Sequence, residues 1–240
     1  MTYRAPGDRA VSPQHRGRYP GFDVLEQVHR WDDVTAAAVL ARISPPEDLG
    51  FFTPAERAVA EPLLDLLLAQ DGEPRVPVLS LIDNRLAIGE TDGWHYDDMP
   101  QDAQAWRDTL VALNEHAVDR YGAGFAELGT GAQARLVQAV QESAAAGERW
   151  RGYPAVHVWS LWTRYACTAF YSHPWAWNEI GFPGPAYPRG YLHTGIDARD
   201  RWEQADRDPE DPGPFAQRVE QARRAHRDLV GRTPSGRSGR

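Results

Sequence analysis

AVHVWSLWTRYACTAFY, residues 155–171, is apolar on every side of a helical projection: Val156, Val158, Trp159, Leu161, Trp162, Tyr165, Ala166, Cys167, Ala169 and Phe170 leave no polar face. A helix of this kind is expected at the centre of a domain, buried among other helices. Its one full charge, Arg164, then needs a partner or a route to solvent. Cys167, set in the same run, reads as a buried and inert thiol.

The stretch that follows, FYSHPWAWNEIGFPGPAYPRGY (Phe170–Tyr191), has a different character. Seven of its 22 residues are aromatic, four are Pro and three are Gly, and its only formal charges are Glu179 and Arg189. Proline and glycine at that density exclude a long helix or a central strand. Aromatics in such number are not left on a mobile loop, because exposed apolar surface is a liability unless something covers it. The expectation is an ordered irregular loop packed on its own domain, on a partner, or on both.

Upstream the pattern is helical. Val24, Leu25, Val28, Trp31, Val34 and Val39 recur at three- and four-residue steps from Phe22 to Ile43. Thr53-Pro54-Ala55-Glu56 has the form of a capping box with Pro at the first helical position, and Pro62 further on is expected to kink or split that helix. A short helix is expected within 76–88, a long amphipathic one over 101–121, and another from a second capping box at Thr130 and Gln133. The chain therefore reads as all-α: one irregular helical domain over 21–196, around the central helix at about 155–171. Flanking it are a disordered arm (1–20), an acidic linker with a C-terminal helix (197–231) and a basic tail (232–240).

Composition narrows the function. The 240 residues carry a net charge of −8, which argues against nucleic acid as a partner. All 26 cationic residues are Arg, leaving no Lys for Schiff-base or Walker-type chemistry. A single Cys excludes an intrachain disulfide framework and Cys-rich metal centres. No secretory or twin-arginine signal and no membrane span is legible, so the expected location is cytoplasmic, without direct membrane insertion.

Catalytic patterns are sparse. The eight His residues form no HExxH, and Asp206, Asp208 and Glu210 begin a calcium-loop spacing that fails at Asp211. There is no GxGxxG after a strand, no P-loop and no GxSxG. His173 with Glu179 is the one acid–base pair that can be written down. No catalytic, cofactor-binding or metal residue is assigned.

The chain resembles a known family, the small subunit 3 of gluconate 2-dehydrogenase and related FAD-dependent sugar or alcohol dehydrogenases. The resemblance rests on FFTPAE at Phe51–Glu56, the Ile82-Asp83 pair, the run Leu113, Tyr121 and Phe125-Ala126-Glu127-Leu128 with the Gln133 helix, and above all on segment 170–191. It spans roughly residues 24–195. It implies a non-catalytic subunit that supports a large flavoprotein of the glucose–methanol–choline type. FAD would lie in that partner, and in some complexes a haem c subunit carries electrons onward. Relatives often bear a twin-arginine signal, a pattern these residues do not show, and export with a signal-bearing partner stays open; with no CxxCH the chain is not expected to be the haem subunit.

The expected partner surface is therefore the aromatic segment, through Tyr171, His173, Pro174, Trp175, Trp177, Asn178, Phe182, Tyr187, Arg189 and Tyr191, because such residues concentrate binding energy and proline pre-orders them. Two other readings stay open: a free-standing carbohydrate-binding module that stacks sugars on Trp and Tyr faces, and an independent enzyme using His173 and Glu179.

Overall fold

The computed structural model describes residues 19, 21–45, 50–193, 195 and 198–205, which belong, up to Gln204, to one compact unit. The expected N-terminal arm apart from Tyr19, the C-terminal helix and the basic tail lie outside the described residues, as does most of the acidic linker.

The fold is all-α. After a 3-10 helix at Val24–Arg30 come α1 (Asp33–Leu40), α2 (Pro54–Leu68), α3 (Val78–Ala87), α4 (Asp102–Tyr121) and α5 (Thr130–Ala145). A small antiparallel hairpin, β1 (Arg149–Trp150) and β2 (Tyr153–Pro154), leads into α6 (Ala155–Ser172) and α7 (Pro174–Ile180). The expected central helix is α6, which packs against α2, α3, α4, α5 and α7.

α6 is less enclosed than its composition implies. Ala155, Val158, Leu161, Trp162, Tyr165, Ala166, Ala169 and Phe170 are buried, at the three- and four-residue steps of a single face. Val156, Cys167 and Tyr171 are exposed, so the expectation of a helix buried on all sides is corrected, and Cys167 is not a buried thiol. Residues that count as apolar in the sequence occupy the outer face and leave apolar surface there. Arg164 has the expected partners: its guanidinium pairs with Asp92, reaches Asp102 at 3.3 Å and lies 4.7 Å from the Trp94 ring. Asp102, itself buried, also accepts the Tyr165 hydroxyl at 2.7 Å.

Local caps explain most element boundaries. Thr53 accepts the Glu56 N–H while Glu56 accepts the Thr53 N–H, a complete capping box for α2. Pro62 neither ends nor splits α2. It removes one backbone donor, and the carbonyl so freed belongs to Ala58, on the exposed side of the helix. The helical pattern of 22–43 is in fact divided at Trp31, because Asp23 caps the 3-10 helix and Asp32 caps α1, accepting the Thr35 N–H at 2.9 Å. The second expected capping box does not form. Gly129 is the cap of α5, Thr130 is already helical, and buried Gln133 donates to the Phe125 carbonyl at 2.9 Å.

Asp83 anchors the start of α2 from a distance. Fully buried on α3, its carboxylate accepts the N–H groups of Gly50, Phe51 and Phe52 at 2.6, 3.1 and 2.7 Å. This contact joins the Phe51–Glu56 run to the Ile82-Asp83 pair.

Candidate functional site: the aromatic segment and its cradle

Segment 170–191 is ordered, but it is not a loop throughout. α6 runs to Ser172, and α7 then occupies Pro174–Ile180. The sequence itself carries this short helix. His173 stands at the N-cap, with Nδ1 accepting the Trp175 N–H at 3.1 Å, Pro174 fills the first helical position, and Gly181 closes the helix with φ +73. Proline density excludes long helices, not one that starts on a proline and ends on a glycine.

The segment packs on the N-terminal part of the chain. Tyr19, Phe22, Val24, Leu25, Trp31, Val39 and Trp177 form a second hydrophobic cluster beside the main core. Asn178, buried on α7, accepts the Val24 N–H through Oδ1 at 2.7 Å. Trp31 Nε1 donates to the Pro185 carbonyl at 3.0 Å, and Arg189 donates to Gln27 Oε1 at 3.0 Å. The two glycines of the Ile-Gly-Phe-Pro-Gly-Pro run are required by this packing. A methyl group at Gly181 would lie 2.5 Å from the Tyr19 ring, one at Gly184 2.5 Å from Trp31, and both have positive φ.

The ten residues expected at a partner surface divide sharply. His173, Pro174, Trp177 and Asn178 are buried, and they hold the segment to its own chain. Trp177 donates to the Tyr171 carbonyl at 2.6 Å and meets Phe182 edge to face at 5.3 Å. Trp175 and Arg189 are half-buried; Arg189 lies 4.0 Å from the Trp202 ring. Four face outward: Tyr171 (49% exposed), Phe182 (37%), Tyr187 (65%) and Tyr191 (50%). Ile180, not among the ten, is exposed beside them at 48%.

The His173 environment bears on acid–base chemistry. The side chain is fully buried, its Nε2 forms no good hydrogen bond among the described residues, and burial pushes its pKa down to about 4. It is a neutral helix cap rather than a base open to substrate, and no hydrogen bond or ion pair joins it to Glu179. Among the described residues, no group of three or more His, Cys, Asp or Glu could hold a metal ion, and no helix is long and apolar enough to cross a membrane.

Tyr19, Val24 and Trp31, which receive the segment, were not legible as its receptor. Their apolar spacing marks a buried face but does not say what covers it.

Comparison with known proteins agrees with the resemblance in the sequence. The sequence model of the family described as gluconate 2-dehydrogenase subunit 3 matches residues 54–184, more than half of the chain. The match opens at the first residue of α2, closes at Gly184, and omits the N-terminal cradle. No curated protein and no solved structure matches. With Asp83 fixing the start of α2 and two glycines seating the aromatic segment inside the matched region, the chain belongs to the gluconate 2-dehydrogenase subunit 3 family.

Proposed function

We propose that this chain is the non-catalytic small subunit of an FAD-dependent sugar or polyol dehydrogenase, and that it docks on the flavoprotein through the outward face of segment 170–191. One observation carries the reading: Tyr171, Phe182, Tyr187 and Tyr191 stay exposed on a backbone locked from behind by Asn178, Trp177, Gly181 and Gly184. Large aromatics on a rigid frame lose little entropy on docking, and they are the residue types in which interface energy concentrates. The family is named for a dehydrogenase subunit, which favours a protein partner. FAD, on this reading, belongs to that partner.

The test is affinity purification of the tagged chain from the cells that produce it. A co-eluting protein with a flavin spectrum and polyol-oxidising activity is expected, and Tyr171→Ala with Phe182→Ala should reduce its yield at least tenfold. An eluate without flavin overturns the reading. A carbohydrate module has less support: Trp177 shows no open face and Trp175 only part of one. Sugar titration monitored by Trp fluorescence checks that alternative directly.

A further inference from the structure

Glu179 is the only acidic residue of segment 170–191, and it is half-buried on α7. Among the described residues its carboxylate has no hydrogen-bond or ion-pair partner; burial alone acts on it, raising its pKa. The fully buried carboxylates are treated differently. Asp83 takes three backbone N–H groups, Asp102 takes Tyr165 and Arg164, and Asp200 pairs with His193. Asp65, also partly buried, has Arg75. None of the arginines among the described residues is placed on Glu179.

The surroundings are consistent with a contact surface. Cys167 and Tyr171, four residues apart, share an exposed face at the end of α6, and Glu179 on α7 lies near enough to the Tyr171 phenol to help raise its pKa. Cys167 and Tyr171 are exposed, and Ile180 and Phe182 extend the apolar border. A carboxylate partly stripped of water beside an exposed tyrosine is costly alone and attracts a cation that arrives with a partner. Arg suits the position best, because its flat guanidinium both pairs with a carboxylate and stacks on aromatic rings.

We propose that Glu179 is the anchor of recognition on this face, receiving an arginine side chain of the flavoprotein subunit, with Tyr171 beside the ion pair. This rests on the accessory-subunit reading above. The decisive measurement is the affinity of the flavoprotein co-purified with the wild-type chain for Glu179→Gln and Glu179→Lys. The expected result is at least tenfold weaker binding for Glu179→Gln and no detectable binding for Glu179→Lys. The isolated Glu179→Gln chain should melt at or above the wild-type temperature at pH 7, since it loses an uncompensated charge and keeps its shape. Binding by both variants within twofold of wild type overturns the anchor while leaving the accessory-subunit reading intact. Absence of any flavoprotein from the wild-type eluate overturns both. Weakened self-association of this chain, with flavoprotein binding unchanged, also overturns the anchor.

Discussion

The indole of Trp31 lies so close to the α-carbon of Gly184 that a methyl group there would sit 2.5 Å from Trp31 Cζ2 and 3.1 Å from Val24. The same glycine has φ +79. Two penalties therefore coincide: about 1–2 kcal/mol for a side chain in the left-handed region and about 1–3 kcal/mol for overpacking. Gly184→Ala should lower stability by roughly their sum. Gly190→Ala, at φ +69 but with open space around it, should show only the first penalty. Urea unfolding of both variants separates the two terms.

Asn178 links α7 to the backbone at Val24. Asn178→Ala leaves a buried N–H without an acceptor and should cost about 1–3 kcal/mol. The loss should be localised: amide exchange at Val24 and Leu25 should accelerate while exchange in α4 and α6 stays unchanged. Equal acceleration everywhere would mean that the second cluster and the main core unfold as one unit.

His173 makes stability depend on pH with a definite sign. Its folded pKa, about 4, lies below the ordinary 6.5, so the unfolded chain binds the proton more readily. The contribution is fully present above pH 6.5 and is lost as pH falls toward 4, by about 3 kcal/mol at most. His173→Asn retains a cap acceptor for the Trp175 N–H but cannot titrate. Chemical denaturation from pH 7 to 4 should show a shallower decline for the variant, the difference between the two curves isolating the histidine from the carboxylates.

Asp102 supports both Arg164 and Tyr165 from inside the bundle. Asp102→Ala removes the acceptor of the buried Tyr165 hydroxyl and one of the two carboxylates on Arg164, which keeps Asp92, and should cost about 1–3 kcal/mol. Asp102→Asn keeps an acceptor for Tyr165 and should cost less. Thermal melts of the two variants rank them.

Much of the helical frame was legible because its signals are local. Thr53, Pro54 and Glu56 announce α2 within four residues, and the apolar steps of 101–121 match α4. Features that depend on partners distant in sequence were less legible. Whether Cys167 is covered depends on neighbours that no local pattern names, and α6 leaves that side open. Gln133 has the position of a capping residue but is spent on Phe125 because the turn at Leu128–Gly129 starts the helix one residue early. In segment 170–191 the aromatic content was visible, but which aromatics face outward is set by Val24 and Trp31, both 154 positions from their hydrogen-bonding partners.

That separation has a consequence for biosynthesis. Val24, Leu25 and Trp31 are made early, and their cover, from Trp177 to Pro185, emerges only after every helix of the main core has been synthesised. The second cluster closes a loop of nearly the whole domain, a slow step by the logic of contact order. Until it closes, the nascent chain presents a bare indole and an aliphatic strip, the kind of surface that chaperones hold and aggregates recruit. Truncation before Pro174, which removes the whole cover, should therefore yield a chain with its main helices intact and an adhesive N-terminus.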